Sequence, residues 1–236
     1  MTLESLLDEA PSVLKELAAE FYRLGGRHMD ADPRSQQTAC FLVAFRSISL
    51  LSGMRCLLTP ATGDAWDVVM RSVMEAQDLL LTFRFNDQGI RNSIESWFKG
   101  KNESSWKPRH KMCEKLAKLL GAGDTELAKR WSAFSALSHP TFFACQNSTV
   151  LMVNWVTGRK EDPSMTRRRT ADYLVSIGKL IVTSTFDDIQ QLVRLGCDMD
   201  RMPRVEPFRL AVAQIAGPIL AESNQITLPP DSYRSA

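Results

Sequence analysis

The chain has 236 residues, a formal net charge of +2, and 44% hydrophobic against 24% charged residues. That is ordinary globular composition, long enough for one domain with an appended segment, and the small charge makes no case for a nucleic-acid or membrane partner. Five scattered cysteines without a CxxC pair and only three histidines (His28, His110, His139) argue against a disulfide framework or a zinc centre, so no metal and no cofactor are expected.

The N-terminal stretch from Met1 to Phe21 carries acids and helix formers but no basic segment followed by an apolar core, so it does not read as a signal peptide. With the reduced-cysteine pattern this gives a cytoplasmic expectation. Glu4–Leu24 is predicted as the first helix, with Thr2 as N-cap, Gly25-Gly26 as the stop and Pro11 as a kink or a split. Arg27–Pro33 follows as a polar loop. The next helix runs from Pro33 to about Leu58. Its apolar run is broken by Arg46 and Arg55, which a membrane span would have to bury, so it reads as a core helix and no membrane is expected.

Asp64 is then predicted to cap the central helix, over Asp64–Asn86. At about 100° per residue, Asp67, Arg71, Glu75, Asp78 and Thr82 share an arc of about 80°. Most of the remaining circumference is apolar, including Trp66, Met70, Val73, Leu80 and Phe83. That is too apolar for a surface helix, and the rest of the chain is expected to pack around it.

Asn86 and Asp87 break the chain before a helix over Gln88–Phe98. Further helices are predicted over Arg109–Leu120, over Asp124 to Ser138 ending at His139-Pro140, and, between helical and extended alternatives, over Thr141–Trp155. Asp162 and Pro163 read as N-cap and first residue of a long helix reaching Leu195, with Gly196 after its end. Arg204–Glu222 forms a last helix weakened by Gly217-Pro218. The expectation is all-α: a single-domain helical bundle of about seven to eight helices over 1–222, with a flexible C-terminal tail over 223–236.

Three constellations stand out. Arg71 and Glu75, four apart on one helix, can pair; such a pair is commonly a solvent-exposed one worth about 0.3–0.5 kcal/mol. Ser135 and His139, also four apart, sit at a helix C-terminus, where the macrodipole favours a protonated imidazole or where both side chains cap the last carbonyls. A serine–histidine pair alone lacks the orienting acid and oxyanion site of nucleophilic catalysis. The stretch Trp97–Lys118 interleaves Lys99, Lys101, Lys107, Arg109 and Lys111 with Trp97, Phe98 and Trp106. It reads either as a single-strand RNA surface or as a solvated face with anchored aromatics. Arg167-Arg168-Arg169 at a helix start is badly placed for the dipole and hints at an external anion or acidic partner. A phosphate-binding glycine loop, HExxH and a diiron ExxH pair are all missing.

VVMRSVMEAQDLLLTF, with Arg71 and Glu75, is followed about sixty residues on by RWSAFSALSHP, with Trp131, Ser135 and His139. Together they resemble a widespread bacterial helical family of unknown function. Its signatures are an Arg-x-x-x-Glu helix and an aromatic-x-x-x-Ser-x-x-x-His helix end. The resemblance covers Phe41–His139 and implies that Arg71, Glu75, Ser135 and His139 form one buried polar cluster. In layout the family is similar to HEPN domains, many of them metal-independent ribonucleases of phage-defence and toxin–antitoxin systems that use an Arg-x4–6-His motif. Here the nearest arginine before His139 is Arg130, with eight residues between.

Two expectations follow. In the first, the chain is a binding or assembly component, a homo-oligomer or the companion of a protein partner, and the four-residue cluster joins two helices. In the second, His139 is general acid/base, Arg71 steadies a phosphate, and Lys99, Lys101, Trp106, Lys107, Arg109 and Lys111 hold RNA.

Overall fold

The structure is a computed structural model that describes residues 1–59, 62–100, 152–153, 156–158, 162–185 and 192–223. Among them are six α-helices: α1 (Leu3–Ala31), α2 (Gln36–Met54), α3 (Gly63–Phe83), α4 (Gln88–Phe98), α5 (Pro163–Thr185) and α6 (Val205–Ser223). Single 3-10 turns add Arg55–Leu57 and Met199–Arg201. The all-α class holds, with six helices here against the seven to eight expected. The only extended pairing among these residues is an isolated antiparallel bridge between Phe85 and Leu192. The helices predicted over 109–120 and 124–138 and the tail after 223 lie outside the described residues, as does the ambiguous stretch 141–155 apart from Met152 and Val153, which are helical.

Buried residues of all six helices join in one core. α1 opens with a reciprocal cap, Thr2 accepting from the Ser5 amide at 3.2 Å while the Ser5 hydroxyl accepts from the Thr2 amide at 2.8 Å. Pro11 does not split it: α1 is one continuous helix with Pro11 on its exposed side. Nor do the glycines stop it. A Cβ on Gly25 would stand 3.4 Å from Phe41 Cβ, so the missing side chain is where α1 and α2 come close. Beyond it, His28 stacks on Phe41 at 5.5 Å. Packing thus outweighs a glycine cost of about 1 kcal/mol per residue.

α2 begins at Gln36, with the Ser35 hydroxyl accepting from the Thr38 amide. Among the described residues only Gln36–Leu57 is long and apolar enough to cross a membrane. Burial accounts for much of that apolarity: Phe41, Ala44, Ile48 and Leu51 face the core, while Arg46, Ser49, Ser52, Gly53, Arg55 and Cys56 are exposed.

α3 starts one residue earlier than predicted, and its cap position is Thr62, not Asp64. The Thr62 hydroxyl donates to the Leu57 carbonyl at 2.7 Å, which ties the corner together in place of capping the helix. α4 has its predicted bounds, with the Asp87 carboxylate accepting from the Gly89 and Ile90 amides.

Two further expectations are corrected. The helix from Pro163 is helical only to Thr185 among the described residues; Leu192–Asp198 is irregular, with Gly196 at φ +72 inside it. The Leu192 end is drawn instead to the end of α3, where the Val193 amide donates to the Arg84 carbonyl at 2.7 Å. From Arg169 on, α5 is more enclosed than α3: Arg169–Leu174 are six consecutive buried residues, whereas Ala65, Val68 and Glu75 of α3 are exposed.

Candidate functional site

The structure divides the polar stripe of α3. Arg71 and Glu75 face outward, their side chains 23% and 45% exposed, with Arg71 Nε donating to Glu75 Oε1 at 3.1 Å. Asp67, Asp78 and Thr82 are buried, and Thr82 donates to the Asp78 carbonyl at 2.7 Å.

A second stripe stands opposite. Arg169, Asp172, Ser176, Lys179 and Thr183 recur on α5 every three or four residues, within an arc of about 80°. All except Lys179 are buried. The two helices run in the same direction. The Trp66 ring meets Tyr173 edge-on at 6.4 Å, the Ser176 hydroxyl lies 3.5 Å from Met70 Sδ, and Lys179 and Thr183 face the later residues Asp78 and Arg84.

Directional bonds join the stripes. Gln77 Nε2 donates to the Ser176 carbonyl at 2.8 Å, and Lys179 Nζ donates to Asp78 Oδ1 at 3.0 Å. Arg84, fully buried, donates through Nη1 to the Thr183 carbonyl and reaches the Val193 carbonyl through Nε and Nη2 at 3.4 Å. A planar fork with five donors can serve two carbonyls at once, which lysine cannot. Gln36 of α2 clasps the same helix end, donating to the carbonyls of Phe83 at 2.7 Å and Phe85 at 2.8 Å. Asp67, Arg71, Asp78, Thr82, Arg84, Arg169 and Asp172 each have further interactions.

Two buried groups near this seam are kept neutral. Burial pushes the Cys40 thiol up to about 12 against the opposing charge of Arg84, which makes it a poor nucleophile. Burial likewise pushes Tyr173 up to about 12, against the positive field of Arg55, and its hydroxyl is buried without a hydrogen-bond partner. Among the described residues no three His, Cys, Asp or Glu side chains gather to hold a metal ion.

Of the predicted site residues, Arg71 and Glu75 are placed as a pair, and Ser135 and His139 lie outside the described residues. So do Lys101, Trp106, Lys107, Arg109 and Lys111 of the expected RNA surface. Lys99 is exposed, 3.8 Å from Glu95. Trp97 is half-buried, edge-on to Phe83 at 5.4 Å and to Phe98 at 5.1 Å, an anchored aromatic and not a free stacking platform.

Sequence reasoning missed Gln77, Arg84 and Lys179. The spacing of Arg169, Asp172, Ser176, Lys179 and Thr183 was there to be seen, but attention to the apolar positions of that helix hid it. Arg167 and Arg168 are exposed while Arg169 is buried, so the arginine run does not present one uniform basic spot. Comparison of the chain with protein-family models, with curated proteins and with solved structures finds no match.

Proposed function

We propose that the chain is a helical-bundle assembly component that associates with copies of itself through the outer face of α6. The observation that carries this reading is the composition of that face. Pro207, Leu210, Ala213, Gln214, Pro218 and Ala221 are all exposed, and no charged residue occurs from Leu210 to Ala221. They fall in one arc of about 140°, and a contiguous uncharged surface on an edge helix is the usual mark of a protein interface. The polar seam between α3 and α5 has a structural role in this reading, because Gln77 and Arg84 donate to backbone carbonyls of neighbouring elements and Lys179 meets the Asp78 carboxylate. The full chain is taken to hold seven to eight helices, as the spacing of its sequence suggests. The proposed setting is the cytoplasm, on the cysteine pattern and the N-terminal sequence, and a defence-type system, on the family resemblance.

Sedimentation equilibrium over a range of concentrations tests it. The wild-type chain is expected to self-associate, and Leu210→Glu to raise the dissociation constant by about a hundredfold, since a carboxylate would be buried in the contact. A wild-type chain that stays monomeric, or an association that Leu210→Glu leaves unchanged, overturns the reading.

A second reading is favoured by one observation: the Arg71 side chain is partly exposed, where a phosphate could reach it. Here the chain is a HEPN-like metal-independent endoribonuclease, with His139 as general acid/base and Arg71 steadying the scissile phosphate. His139→Ala and Arg71→Ala should each abolish cleavage of single-stranded RNA without lowering the melting temperature. Lys107→Glu with Arg109→Glu should remove salt-sensitive RNA binding. Absence of metal-independent cleavage by the wild type removes this reading.

A further inference from the structure

The connection between α5 and α6 is pinned by side chains of other helices. From Leu192 to Arg204 its regular structure is the single 3-10 turn Met199–Arg201. It is held at three places along its length. The Val193 amide donates to the Arg84 carbonyl at 2.7 Å, the Asp198 amide to Glu20 Oε1 at 2.8 Å, and the Arg204 amide to Glu16 Oε2 at 3.1 Å. Leu195 and Met202 are buried between these points. Glu16 and Glu20 are one turn apart on α1, so both carboxylates present the same face to the connection.

We propose that Glu20 is an acid-sensitive catch on this connection: ionised, it holds the Asp198 amide, and its protonation opens the connection there while the helices stay packed. An amide donating to an ionised carboxylate makes a charge-assisted bond, roughly twice as strong as a neutral one. A protonated carboxyl loses that advantage and turns one oxygen into a donor. The groups facing Glu20 are Arg23 on its own helix and Cys197, Asp198 and Arg201 on the connection; the group facing Glu16 is Arg204, whose Nε lies 3.4 Å from Glu16 Oε1.

The Arg23 guanidinium, donating to Glu20 at 2.8 Å through Nε, holds that carboxyl below the usual carboxylate range; burial opposes this, and the Asp198 amide and Arg201 add to it. Because the folded-state value is depressed, the contribution of Glu20 is complete above its ordinary value of 4.5 and is lost as pH falls through the lower folded value. The opening stays local. The first residues of α6 are fixed separately by Val205, Phe208, Val212 and Ala216, all buried in the core. The catch is independent of the self-association proposed above.

Native-state amide hydrogen exchange on the full chain tests it, with rates corrected for the intrinsic pH dependence. Between about pH 7 and about pH 2.5, low enough to cross the depressed value of Glu20, the Asp198 amide should lose at least about tenfold in protection, while Val193, whose acceptor is a backbone carbonyl, should keep its own. In Glu20→Gln, which keeps an acceptor oxygen but cannot titrate, the Asp198 amide should no longer respond to pH. Arg23→Gln, which removes the guanidinium that depresses the Glu20 carboxyl, should move the Asp198 response to higher pH, and serves if the first variant folds poorly. Parallel loss at Val193, a pH response that survives Glu20→Gln, or one that Arg23→Gln leaves unmoved, overturns the proposal.

Discussion

α1 meets α2 through carbon, whereas α3 meets α5 through hydrogen bonds. In the first contact Phe21 tilts against Phe41 at 5.9 Å and stands edge-on to Phe45 at 6.4 Å, with Gly25 permitting the close approach. In the second, Gln77, Asp78 and Arg84 reach Ser176, Lys179 and Thr183 in turn. Both contacts are buried, but their physics differs. Carbon contact is non-directional and scales with area, so several registers of the same helices would gain nearly as much. A donor directed at a particular carbonyl gains only in one register and costs free energy in every other, because the buried group is then left unmet. Carbon packing such as that of α1 on α2 therefore supplies cohesion without fixing register, and polar groups fix the relative placement of α3 and α5.

The largest effects should come from the key residue of each contact. Phe41→Ala is expected to cost about 3–5 kcal/mol, from lost burial plus the cavity left behind. Arg84→Leu should cost a similar amount for a different reason: its apolar side chain fits the interior but leaves the carbonyls of Thr183 and Val193 unsatisfied. Urea unfolding measures both. Hydrogen exchange separates them, since Arg84→Leu should also loosen the Val193 amide, while Phe41→Ala should lower protection across the whole core. An Arg84→Leu cost below about 1 kcal/mol would mean that the polar contact is incidental, and the distinction between the two regions would go.

A pair of smaller changes sharpens the comparison within the seam. Lys179→Met removes the ammonium that meets Asp78 and should cost about 1–2 kcal/mol, because a mostly buried carboxylate loses that partner. Tyr173→Phe removes a buried hydroxyl that makes no bond. It should be neutral or stabilising by up to about 1 kcal/mol. If both substitutions destabilise alike, the seam is responding to volume and not to hydrogen bonding.

The two regions were unequally legible in the sequence. Leu6, Val13, Leu14, Leu17 and Phe21 recur at helical spacing, and so do Phe41, Phe45, Ile48 and Leu51; apart from Phe45, all of these are buried. The error there was local: two glycines read as a stop, because backbone propensity is visible in one segment and the compensating contact with Phe41 and His28 is not. The seam was misread for a longer-range reason. A polar stripe on a helix looks the same whether it faces water or another polar stripe, and Gln77 is 99 residues from the Ser176 carbonyl that it meets. Arg84 carried even less signal, since an arginine after an apolar run reads as a helix end turning to solvent. For the candidate site, spacing revealed the Arg71–Glu75 pair, but nothing local could distinguish a buried cluster from a surface pair.

The smallest expected effect bears on that last distinction. Glu75→Ala should lower stability by only about 0.3–0.5 kcal/mol, since an i,i+4 pair with one partner 45% exposed gains little in water. Thermal unfolding at low salt should show a small shift, and high salt should abolish most of it by screening. A salt-insensitive loss above about 1.5 kcal/mol would mean that Glu75 has a desolvated partner beyond Arg71. That outcome would support the buried cluster with Ser135 and His139 which the family resemblance implies, and α3 would then hold ordered polar groups on two faces, one toward α5 and one away from it.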